Sequence, residues 1–139
     1  MRFISLPIVL ALLLQTATAA PAFDHAGISS RDLAEYYAGK RNEPAALGEY
    51  AKALAANPDD PLTYQSRGFY LLSLKRTEPA LADFSKQISL TPREPAGYLN
   101  RGMLLGSMGR EDDSTTDFAT ACALGSPDGC AWGKKPAER

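Results

Sequence analysis

Apolar and polar positions along this chain follow two different patterns. From Phe3 to Leu14 the residues are apolar almost without a break, interrupted only by Ser5 and Pro7. Beyond about residue 27 the apolar positions are spaced instead as on one face of a helix. Tyr64, Gly68, Leu71, Leu72 and Leu74 recur in this way behind Asp60, a good N-cap, and Pro61, which suits a first helical turn. Lys75-Arg76-Thr77 breaks the pattern, with Thr77 expected to cap the next helix and Pro79 to lie near its start. Leu81, Phe84, Ile88 and Leu90 carry that second helix, and Pro92 helps to end it. The same two-helix reading holds on either side. One pair runs from about Ser30 with a turn near Asn42-Glu43-Pro44, and another starts at Pro95 with a turn at Gly109.

Displacing the chain on itself by 34 residues shows a repeat. Tyr64 falls on Tyr98, Arg67 on Arg101, Gly68 on Gly102, Leu71 on Leu105, Asp83 on Asp117, Phe84 on Phe118 and Leu90 on Leu124. One step back, Tyr37 falls on Leu71, Ala46 on Ala80, Leu47 on Leu81, Tyr50 on Phe84 and Asn57-Pro58 on Thr91-Pro92. The units are 27–60, 61–94 and 95–128. Small residues such as Gly68 and Ala80 let the two helices of a unit approach, while Tyr64, Leu71 and Phe84 fill the wedge between them. A unit of this kind buries its apolar side only against its neighbours, so about three are needed for stability.

This 34-residue helix pair, with Tyr, Gly, Leu, then Ala, an aromatic and a closing Pro, resembles the tetratricopeptide repeat over residues 27–132. Tyr98-Leu99-Asn100-Arg101-Gly102 and Asp117-Phe118 match a common variant of it. Ser114 departs where Ala46 and Ala80 stand, Ser126 replaces the closing proline, and Gly27-Ile28-Ser29-Ser30 lacks the aromatic of the other units. The resemblance implies an all-α fold, a short right-handed α-solenoid of three helix-turn-helix repeats with 129–139 as C-terminal cap and tail. It also implies a concave groove lined by the first helix of each unit, where peptides or partner helices lie. Arg31, Glu35, Gln65, Phe69, Leu72, Leu99 and Met103 are then expected on that groove, although Leu72 and Leu99 read equally well as core between units. The family's carboxylate clamp needs several Lys, Arg and Asn residues there, and Gln65, Ser66, Asn100 and Arg31 match it poorly.

Arg67 and Arg101 occupy positions that read as partly buried. They are expected to pair with Asp83 and Asp117 across their own helix pairs, the alternative being independent surface charges. Cys122 and Cys130 are the two cysteines. In an exported chain they are expected to oxidise, and their spacing lets a turn between helices join them. A redox pair or a metal site is the alternative, but the spacing is not Cys-x-x-Cys and no ligand cluster accompanies it. The run from Ala121 to Cys130 is similar to the disulfide-linked turns of Sel1-like repeat proteins. Trp132 lies 34 residues after Tyr98, so 126–132 reads as the opening of an unfinished fourth unit, with Trp132 covering the apolar end of the stack.

The first 20 residues order a positive start at Arg2, the apolar run and a small-residue stretch, as a secretory signal peptide does. The run falls short of the roughly 20 residues of a membrane-spanning helix. Cleavage is expected after Ala19, leaving 20–26 as a linker and an exported chain, periplasmic or secreted, with no stable membrane insertion; the alternative is a leader retained as a membrane anchor. Charge adds little: 15 basic residues against 16 acidic leave no basic stripe for nucleic acid. His25 is the only histidine, and no phosphate-binding glycine loop occurs. Asp59-Asp60 and Glu111-Asp112-Asp113 sit where acidic groups favour helix starts. No catalytic residue, metal or cofactor is therefore expected. The sequence reads as a scaffold or adaptor for a protein or peptide, with self-association through the groove, or a Sel1-like cell-wall accessory factor or weak hydrolase, as the other readings.

Overall fold

The computed structural model describes residues 28–133, so the expected leader, the linker up to 26 and His25 lie outside the described residues. Those residues form α1 (Ser30–Gly39), α2 (Glu43–Ala56), α3 (Pro61–Ser73), α4 (Thr77–Leu90), α5 (Pro95–Ser107), α6 (Glu111–Ala123) and α7 (Pro127–Trp132), with no strand among them. Helices α1/α2, α3/α4 and α5/α6 pack as hairpins, and successive hairpins stack into a helical solenoid.

Local chemistry sets most of the helix starts. Ser29, Asn42 and Asp60 cap α1, α2 and α3 through side-chain oxygens that accept from backbone N–H groups of the first turn. Proline occupies the first turn of α2, α3, α5 and α7, where its missing N–H removes no helical bond. Thr77 departs from its expected role. Arg76 is the N-cap of α4, makes no side-chain capping bond, and leaves Thr77 inside the helix. The reason is a tight turn. Lys75 takes a left-handed φ of 59°, and Arg76 N–H donates to the Leu71 carbonyl, so the chain closes in main-chain bonds. Arg41 and Gly109 make the equivalent turns in the flanking hairpins.

The core is divided between hairpins in a way that interlocks them. Tyr70 of α3 joins Ala34, Ala46 and Tyr50 of the first hairpin, and Leu104 of α5 joins Leu71, Ala80 and Phe84 of the second. Each layer thus lends a large side chain to the layer before it, which is nearest-neighbour stabilisation in atomic form. Glycine makes the close approach within hairpins possible. A Cβ on Gly68 would lie 2.7 Å from Phe84 Cε1, and one on Gly102 would lie 2.9 Å from Phe118 Cε1.

The end of the stack differs from expectation. Gly125 turns the chain with φ 90°, and α7 starts at Pro127, whereas the 34-residue period would place the start at 129. Trp132 is therefore out of register with Tyr98. It meets Phe118 edge-on at 5.5 Å but remains 48% exposed, so it covers that end only in part. A disulfide joins Cys122 of α6 to Cys130 of α7. Gly129 lies so close to α6 that a Cβ would be 2.7 Å from the Cys122 backbone nitrogen.

Candidate functional site

Helices α1 and α3 lie side by side, tied by Ser66 Oγ donating to Glu35 Oε1 at 2.8 Å and by Arg31 Nη1 reaching Asp60 Oδ2 at 3.5 Å. The first helices of successive hairpins thus share a face. On α3, Leu62, Gln65, Phe69 and Leu72 recur three or four residues apart and so lie along one side of the helix. Leu99 and Met103 occupy the matching positions on α5, and Arg31 and Glu35 those on α1.

The expected groove residues separate into three kinds. Phe69 and Met103 are large apolar side chains left open, 45% and 42% exposed. Glu35 is exposed, while Arg31, Gln65 and Leu99 are half-buried. Leu72 packs against the cluster of Leu71, Ala80, Phe84 and Leu104, so it belongs with the core. Two further residues join the open set: Ile28 and Leu62 are 41% and 53% exposed. They are 34 residues apart and fall three positions before Arg31 and Gln65, a signal the sequence carried. Phe69 is not loose. Its ring meets the fully buried Phe84 edge-on at 5.3 Å, which fixes its direction.

Both arginine–aspartate pairs form. Arg67 donates from Nε and Nη2 to Asp83 at 2.8 and 2.6 Å, and Arg101 donates to Asp117 at 2.8 Å through each nitrogen. Both aspartates are buried. The hydrogen bond to its aspartate, resisted by burial, raises each arginine above its ordinary value. Arg101 Nη1 also donates to Ser85 Oγ at 3.3 Å across to the preceding hairpin. With Arg31 held by Asp60, all three arginines of α1, α3 and α5 already face a carboxylate. No group of three or more His, Cys, Asp or Glu among the described residues could hold a metal ion. None of the described helices is long and apolar enough to cross a membrane.

Solved structures with the same arrangement are numerous. The first TPR domain of Spaghetti (RPAP3), bound to the HSP90 peptide SRMEEVD, superposes with a TM-score of 0.65 at 17% identity, over 75% of this chain and 84% of that one. The second TPR domain of human RPAP3, in complex with the HSP70 peptide SGPTIEEVD, gives 0.65 at 22% identity, over 78% and 95%. The Arabidopsis OM64 TPR domain gives 0.64 at 20% identity, over 74% and 87%. This is the tetratricopeptide-repeat fold. No protein-family model and no curated protein matches the sequence.

Within that TPR fold the departures have local reasons. Ser114 stands where the other hairpins have alanine, and its hydroxyl donates to the buried Gly102 carbonyl at 2.8 Å, so the polar atom is satisfied. Asn100 is buried at the α4–α5 contact with its amide 3.5 Å from Gln87 Oε1. That placement takes it out of the exposed face.

Proposed function

We propose that this TPR protein is an exported scaffold that holds a protein or peptide partner against the face formed by α1, α3 and α5. The observation that carries this reading is the open apolar set Leu62 and Phe69 on α3 and Met103 on α5, with Ile28 just ahead of α1; Ile28 and Leu62 match across one repeat, as do Phe69 and Met103. Exposed apolar residues in a contiguous set mark interaction surfaces, whereas single ones do not. The RPAP3 domains hold peptides in the same fold, which supports partner binding as the use of this face. Export is supported by the order of residues before Ala20, and the Cys122–Cys130 pair stands at the distance of the disulfide that such a compartment would allow.

Site-specific photo-crosslinking from Phe69 in the cells that make the protein tests the reading. A discrete protein adduct, lost when the crosslinker is moved to exposed Glu78 on α4, is expected. Absence of an adduct from both Phe69 and Met103 refutes it. Mass spectrometry of the mature chain is expected to find Ala20 at the N-terminus, and an intact Met1 would refute export by cleavage.

A further inference from the structure

The face is chemically two-ended. Toward α3 and α5 it offers Leu62, Phe69 and Met103. Toward α1, past Ile28 just ahead of that helix, it offers charge: Arg31 lies 3.8 Å from Asp32 and 3.5 Å from Asp60, and Glu35 stands exposed one turn further along α1. One cation among three carboxylates leaves this end with a formal charge of -2. No other cation within the first helices offsets it, because Arg67 and Arg101 are spent on Asp83 and Asp117, and Lys40, just past the end of α1, lies over the Tyr36 ring. Resting on the scaffold reading above, we infer that the partner segment carries two apolar anchors that seat on Phe69 and Met103 and a positively charged residue that lies toward Glu35.

Each part follows from the geometry. Phe69, steered by Phe84, presents a rigid aromatic surface whose ordering cost is already met on folding, the character of a binding hot spot. Met103 is flexible and polarisable, so it adapts to the second anchor. The α1 end attracts a Lys or Arg side chain and repels a peptide ending in several carboxylates, since like charges in apposition oppose association. Glu35 has the means to receive that cation: Ser66 engages Oε1, and the group remains exposed.

Random-peptide display on the purified full chain tests this directly. Enriched peptides are expected to combine two aromatic or aliphatic residues with a Lys or Arg at a fixed offset. A selected synthetic peptide should lose at least roughly 10-fold in affinity on Met103→Ser or Phe69→Ser, the loss typical of a hot spot. Met103→Ser is the primary variant because Phe69 also touches the core, and circular dichroism checks that both fold. Glu35→Gln keeps the Ser66 bond but removes the charge, and should weaken the same peptide roughly 2–5-fold at low salt and hardly at all at high salt. Enrichment of acid-ended peptides, or indifference to Glu35→Gln, overturns the assigned chemistry while leaving partner binding intact. Peptides that survive both serine substitutions bind elsewhere and overturn the assignment to this face. No enrichment at any protein concentration refutes the scaffold reading itself. Enrichment only on dilution identifies a second copy as the occupant and overturns the assigned partner.

Discussion

Asp83→Asn asks how much of the stack depends on one buried charge pair. Asp83 is 4% exposed and accepts two hydrogen bonds from Arg67, whose side chain is 27% exposed. Breaking a fully buried pair costs about 3–5 kcal/mol, and an exposed pair about 0–1 kcal/mol. Here water reaches one edge of the guanidinium, and asparagine keeps one acceptor oxygen, so the loss falls between these limits at about 2 kcal/mol. For a domain of this size that lowers the melting temperature by roughly 8–15 °C. Asp117→Asn should behave alike, because Arg101 and Asp117 repeat the same geometry. Asp113→Asn is the internal control. It removes the partner of Arg110 in a pair whose side chains are 48% and 57% exposed, and should cost under about 1 kcal/mol. Thermal melts of the three variants, followed by circular dichroism, check the argument. Equal shifts for Asp83→Asn and Asp113→Asn would refute it, since burial would then have no bearing on the pair's worth.

Two glycine substitutions should have opposite signs in chemical denaturation. Gly102→Ala drives a Cβ against Phe118 and should destabilise by about 1–3 kcal/mol, whereas Gly48→Ala, with open space around it inside α2, should stabilise by about 0.5–1 kcal/mol. Burial, assisted by Glu35, pushes the Tyr50 phenol up to about 12 from 10.0. The folded-state value lies above the unfolded one, so its contribution is intact below pH 10.0 and is lost as pH rises toward 12, which alkaline titration of stability should show and Tyr50→Phe should reduce, leaving the part due to Tyr70, which burial also raises. Opening the Cys122–Cys130 disulfide, with its sequence separation of 8, should cost about 2–3 kcal/mol in the chain-entropy model. Trp132 is the single tryptophan, so its fluorescence reports on α7 directly, and an emission spectrum unchanged by reductant would show that α7 stays docked without the bond.

The 34-residue period made the helix hairpins legible before any coordinates, because a helix pair that can bury its apolar side only on its neighbours must repeat the residues that do so. The close approach at Gly68, the cap at Asp60 and the matching of Arg67 with Asp83 all follow from local spacing. What local spacing left wrong or open arose where one segment's fate depends on another. Thr77 looked like a cap, but the left-handed Lys75 closes the turn one residue earlier. Leu72 and Phe69 lie on the same side of α3, yet Leu72 is covered by the neighbouring cluster and Phe69 is not. Ile28 and Leu62 carried the right spacing but were not among the expected groove residues. Periodicity specifies which face of a helix is apolar. Which part of that face stays open depends on how far the next helix reaches over it, and only the packing of whole hairpins fixes that distance.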